Sequence, residues 1–110
     1  MSAQFQRPVQ YVVIVPSAGT PVQLSSVPLF VRAFTAQAHY LNTGNMLVGD
    51  SATNALSANA HALAPGDNLS FAGSHIFQRE VQIDLSNFWI DTTISGGKIV
   101  VTYLQEILNQ

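Results

Sequence analysis

Two apolar runs near the C-terminal end, "FWIDTTI" (Phe88–Ile94) and "KIVVTYL" (Lys98–Leu104), flank Ser95-Gly96-Gly97. Both runs are rich in β-branched and aromatic residues, which suit a pleated, half-buried surface. The paired glycines suit a tight turn, so the stretch predicts a β-hairpin. It commits the chain to building a sheet.

The same pattern recurs upstream. "VQYVVIV" (Val9–Val15) reads as a strand closed by Pro16 and the "SAGTP" that follows. In "VQLS", Val22 and Leu24 alternate with Gln23 and Ser25. The run Leu29–Tyr40 puts Phe30, Arg32, Phe34, Ala36, Ala38 and Tyr40 on one parity. Its alanines would also suit a helix, but β-branched and aromatic residues dominate its first half and no N-cap pattern precedes it, so a strand is expected. "MLVG" (Met46–Gly49) and "LSF" (Leu69–Phe71) are short strands. "REVQIDL" (Arg79–Leu85) alternates, with Val81, Ile83 and Leu85 on one face and Ser86-Asn87 as a turn. Asn42–Asn45 and Pro65-Gly66-Asp67 carry turn chemistry, and Ala52–Ala64 is the least regular stretch. Many short strands with regular turn signals predict an all-β, single-domain sandwich or jelly roll. The domain is expected to span 9–110, preceded by an N-terminal arm over 1–8.

Charge is scarce. Only 9% of the residues are Asp, Glu, Lys or Arg, against about 25% in an ordinary soluble domain. The net charge is -2, and the four cations, Arg7, Arg32, Arg79 and Lys98, form no cluster. No electrostatic footprint for nucleic acid is present. No stretch approaches the roughly 18 apolar residues of a membrane helix, and the first ten residues show no secretory signal pattern. The absence of cysteine excludes disulfides and thiolate metal sites. With 47% apolar residues and so few charges, the composition fits a subunit whose surface is largely covered by neighbours.

The stretch "LNTGNMLVGDSA" (Leu41–Ala52) invites a test for chemistry. A phosphate loop needs a lysine after its last glycine and a helix beyond it, but Gly49 is followed by Asp50. Gly49-Asp50-Ser51 has the start of a Gly-Asp-Ser hydrolase motif. A nucleophilic serine needs an oriented base, and no aspartate in the chain has a histidine three residues later. His39, His61 and His75 have no metal-binding spacing. Asp84 and Asp91 flank "LSNFWI", where bonding to turn amides is a simpler role than acid–base catalysis. No catalytic, metal or cofactor residue is expected. Phe88 and Trp89 are neighbours in a strand, so one should face inwards and the other an edge or interface.

Three pieces in order, "AGTPVQLS" after an opening strand, "NTGNMLVGDSA" followed by "LAPGDNLSF", and the closing "IDLSNFWIDTTISGGKIVVTYL", resemble the small β-rich virion proteins of tailed bacteriophages. The nearest type is the capsid decoration, or cement, protein. The resemblance covers most of the chain from Ala18 onward and carries over no catalytic residue. It implies a non-enzymatic protein on the outer surface of a phage head that stabilises the assembled shell. The partner would be the major capsid protein or another virion protein, with self-association, most simply as a trimer. Tail and head-to-tail connector parts, and carbohydrate-binding sandwiches using Phe88 and Trp89, are the alternatives. Contacts are expected from Phe5 and Arg7 on the arm, His61 in the irregular stretch, and Phe88 and Trp89.

Overall fold

A computed structural model describes residues 3–56, 58–72, 74–76 and 79–109. The strands are β1 (Ala3–Val15), β2 (Val22–Gln23), β3 (Phe30–Val31), β4 (Ala33–Ala38), β5 (Met46–Gly49), β6 (His61–Leu63), β7 (Asn68–Ala72), β8 (Ser74–Ile76), β9 (Arg79–Val81), β10 (Ile83–Asp84), β11 (Trp89–Thr92) and β12 (Gly97–Asn109). A short helix, α1 (Ala52–Leu56), follows β5, and a 3-10 turn spans Leu85–Asn87.

Two four-stranded antiparallel sheets form the body. The first has the order β1-β12-β4-β7 and the second β2-β11-β5-β6. Two small pairings, β3 with β10 and β8 with β9, are separate. With those four short strands set aside, the eight others run 1-8-3-6 in one sheet and 2-7-4-5 in the other. That is the jelly-roll order, as the strand and turn spacing predicts.

The core lies between the sheets and follows the period of two. Phe34, Ala36 and Ala38 of β4 are buried, as are Met46 and Val48 of β5 and Ile99 and Val101 of β12. Ala38 stands beside Ile99 and Ala36 beside Val101 in the ladder, so a small residue accompanies a larger one. Leu24, Leu85 and Ile90, each 1% exposed or less, complete the interior. Burying an aliphatic side chain of this size contributes roughly 1.5–3 kcal/mol. Tyr11 reaches across from β1 and donates its hydroxyl to the Leu24 carbonyl at 2.9 Å. Burial, with the neighbouring Tyr103 adding to it, pushes its pKa up to about 12.

Several expectations need correction. The expected hairpin at Phe88–Leu104 is an arch. β11 belongs to the second sheet and β12 to the first, so Ser95-Gly96-Gly97 carries the chain between sheets. Each strand instead has a neighbour on both sides in its own sheet. The expected single strand over Leu29–Tyr40 breaks at Arg32, where the chain leaves β10 for the first sheet. The break changes the parity, so Val31 is buried and Phe30 is 60% exposed while Phe34 is buried. "REVQIDL" likewise splits between two partners, β8 for β9 and β3 for β10. The stretch 52–64 holds α1 and β6. Ser51 starts α1: its Oγ accepts from the Asn54 N–H at 3.1 Å. The segment expected as an arm is strand from Ala3 onward, paired with β12 as far as Asn109; Met1 and Ser2 lie outside the described residues. Among the described residues β4 pairs with β12 over Ile99–Tyr103, and beyond that the β1–β12 pair continues as a two-stranded ribbon.

Asp84 ties the connections together. Its Oδ1 accepts from the Ser86 N–H at 2.9 Å, the Ser86 hydroxyl at 2.8 Å and the Leu29 N–H at 3.1 Å. The Ser86 N–H is the main cause holding this carboxyl below its ordinary pKa; partial burial opposes it, and the Ser86 hydroxyl and Leu29 N–H reinforce it. A depressed folded-state value stabilises the fold above the unfolded aspartate value and loses that effect as pH falls through the folded one. Urea midpoints should therefore fall as pH drops below about 4, and Asp84→Asn should make that acid-side slope shallower. An unchanged slope in the variant would remove Asp84 from the acid response.

Candidate interaction surfaces

The outer face of the first sheet follows from the register. β1 presents Gln10, Val12 and Ile14, β12 presents Lys98, Val100, Thr102 and Leu104, β4 presents Ala33, Thr35 and Gln37, and β7 presents Asn68, Ser70 and Ala72. Lys98 is the one charge in this set. Val12 is 49% and Ile14 50% exposed. Thr35 and Ser70 share a hydroxyl–hydroxyl hydrogen bond of 3.0 Å across β4 and β7. The face carries a single charge and is partly apolar, the composition of a surface suited to a partner.

A hydrogen-bonded loop stands at one end of this sheet. The His39 N–H donates to the Lys98 carbonyl at 3.1 Å, prolonging the β4–β12 ladder. Asn42 then imitates a strand residue with its side chain: its Nδ2 donates to the Lys98 carbonyl at 2.8 Å and its Oδ1 accepts from the Lys98 N–H at 3.0 Å. The turn closes on the neighbouring arch, where the Thr93 N–H donates to the Asn45 carbonyl at 3.0 Å. His39 stacks on Tyr40 with ring centres 5.0 Å apart. Tyr40 and Leu41 are left 73% and 69% exposed on a backbone that is well tied down. Beside them a cleft of about 240 Å3 is lined by Thr43, Ile94 and Ser95 among others.

A second cleft, about 310 Å3, opens where β5, α1, β6 and β7 meet. Phe71 and Phe88 line it together with Asp50, Asn54, Asn59 and His61. The two rings belong to a cluster with Phe34: Phe88 lies edge-on to Phe34 at 5.1 Å, and Phe34 stacks on Phe71 at 5.4 Å. α1 presses on the back of β5 so closely that a Cβ at Gly49 would stand 2.6 Å from the Ala55 nitrogen. Only glycine fits there.

The expected contact residues are dispersed. Phe5 and Arg7 stand on the β1–β12 ribbon opposite Ile107 and Gln105; the Phe5 side chain lies outside the described residues, and Arg7 is exposed. His61 is exposed at the start of β6 and borders the aromatic cleft. Phe88 faces the interior, as its ring contacts show. Trp89 is half-buried on the other face of the second sheet, since its neighbour Ile90 points into the core. The pair therefore divides between two faces and forms no shared platform. Ser51 is engaged as the helix cap, and Asp50 accepts from the Asn54 amide. Among the described residues no three His, Asp or Glu side chains gather into a metal-binding group.

Val12, Ile14, Tyr40 and Leu41 are surface features that the sequence reading passed over. A signal was available in "VQYVVIV": both parities carry apolar residues, so burying one face still leaves Val12 and Ile14 beside Gln10 on the other. Protein-family models, curated proteins and solved structures yield no match to this chain.

Removing the Asn42 side chain leaves the Lys98 N–H and C=O without this partner. Asn42→Ala should cost about 1–2 kcal/mol in chemical denaturation and speed amide exchange at Lys98. Exchange at wild-type rates would mean that the loop holds without it.

Proposed function

We propose that this chain is a non-enzymatic structural component of a phage virion, of the capsid decoration type, seated on the outside of the head. The observation that carries the reading is the charge-poor outer face of the first sheet, with the exposed Tyr40–Leu41 loop at its end. A charge-poor jelly roll with such a surface is suited to being covered. The turn and strand motifs that resemble decoration proteins point the same way. The partner would be the major capsid protein or a neighbouring virion protein. A protein that binds the assembled lattice and not its dissociated subunits stabilises the lattice by mass action. Self-association into a closed, symmetric oligomer would let modest contacts act together on the shell; a trimer is the arrangement that the resemblance suggests.

Quantitative mass spectrometry of purified particles tests this. Hundreds of copies per head are expected, together with reduced heat and low-salt tolerance in particles that lack the protein. Absence from heads, or unchanged tolerance, overturns it. About a dozen copies or fewer would move the protein to the connector or tail, where ring symmetry sets the number.

One observation favours a second reading, a carbohydrate-binding sandwich. The cleft of Phe71 and Phe88 has Asp50, Asn54, Asn59 and His61 around it, and aromatic faces with amide and carboxylate neighbours suit sugar rings. On a glycan array this reading expects binding that Asp50→Ala abolishes and Trp89→Ala leaves intact, since Trp89 does not line the cleft. No binding at all removes it.

A further inference from the structure

The first sheet has one long open edge. β1 is 13 residues long, and among the described residues β12 is its sole neighbour in the sheet. The other strands at sheet edges are short: β7 has five residues, β6 three and β2 two. Natural sheets protect their edges by shortness, proline, lysine, bulges or a covering segment. Between Val9 and Val15, β1 has no proline and no charged residue, and its one-to-one register with β12 has no bulge.

The direction of the edge amides follows from the ladder. Because the His39 N–H donates to the Lys98 carbonyl, even-numbered residues of β12 direct their amides to β4, and odd-numbered ones direct theirs to β1. Val9, Tyr11, Val13 and Val15 stand opposite Tyr103, Val101, Ile99 and Gly97 and point their amides inwards to β12. Gln10, Val12 and Ile14 therefore point N–H and C=O outwards, away from the sheet.

We propose that β1 pairs antiparallel with β1 of a second copy, about a two-fold axis at Val12, fusing the two first sheets into one of eight strands. The occupant is set by complementarity. Pro8 and Pro16 each lie four positions from Val12, so this register sets Pro8 against Pro16, and the residues that lack an N–H face one another. Between them Gln10 meets Ile14 and Val12 meets itself, and each pair exchanges an N–H and a C=O in both directions. Donor dipoles meet acceptor dipoles throughout, and no charge opposes another. The half-exposed Val12 side chains meet directly on the outer face. The pairing stands apart from the virion reading, and it replaces the expected three-fold by a two-fold.

The test uses the full chain. Light scattering and sedimentation should give twice the monomer mass across the micromolar range. The chain has no cysteine, so a single introduced thiol reports the register. Val12→Cys should form a disulfide dimer under mild oxidation, because directly opposed residues of this type have Cα atoms about 5.5 Å apart, within disulfide reach. Ile14→Cys should not, since its counterpart lies four positions along, about 13 Å away. Val12→Pro removes an outward N–H, a position where an edge strand tolerates proline, and should give a monomer that keeps its β circular dichroism. If that variant fails to fold, Val12→Lys, which opposes two ammonium groups at the axis, should give the monomer. A monomeric or three-fold wild type, a Val12→Lys or folded Val12→Pro protein that keeps the dimer mass, or equal crosslinking at positions 12 and 14 overturns the proposal.

Discussion

One chain can feed two facing sheets only where its backbone passes between them, and the passage from Thr92 to Gly97 governs this fold. The Thr92 hydroxyl donates to the Ile94 carbonyl at 2.7 Å and turns the strand out of the second sheet. At Gly97 a side chain would run into Thr92 and into the Met46 sulfur, so the chain enters the first sheet where nothing larger than hydrogen fits. Gly96 precedes it at φ +88°, in the region that favours glycine. From there β12 takes the position between β1 and β4 and sets the register of both.

This passage also marks the limit of what was legible in the sequence. The period of two in β4, β5 and β12 was readable because each strand buries one parity against the same core. Turns at Asn42–Asn45 and Pro65-Gly66-Asp67 were readable from residue chemistry. Partner choice was not. Ser95-Gly96-Gly97 has the same local chemistry whether it closes a hairpin or an arch, and only the competition of β2, β5, β1 and β4 for neighbours decides. The break at Arg32 was hidden for a similar reason: the parity of Phe30 and Phe34 is consistent in the sequence, while the change of partner between them is a tertiary event. Of the surfaces, the aromatic content of Phe88 and Trp89 was visible, and their alternation predicted that they would part. The exposed faces of Val12 and Ile14 were not distinguished from core, because apolar character alone does not say what lies beyond the sheet.

The economy of charge has a structural side. All four aspartates are engaged close to turns or loops. Asp84 gathers Leu29 and Ser86, Asp91 accepts from the Gly19 N–H at 3.0 Å, Asp67 accepts from the Ala64 N–H at 3.1 Å, and Asp50 holds the Asn54 amide. Hydrogen bonds to carboxylates are stronger than those between neutral groups, so a few acids suffice to lock the connections. The same allocation leaves the outer face of the first sheet, Lys98 apart, to Thr, Ser, Gln and small apolar residues, which is why hydrogen-bonded loops accompany a charge-poor face.

The ribbon of β1 and β12 has a mechanical consequence. Ala3 and Asn109 are register partners, so the two strands end side by side, at the same pole. Tension applied to both would not load the ladder in parallel, as it does when strands are pulled from opposite poles. It would open the pair like a zip, one rung at a time, until the fork reached Tyr103, where β4 begins to brace β12. The ribbon is therefore soft to a pull applied at Ala3 and Asn109, and resistance rises once the fork reaches the braced part of the sheet.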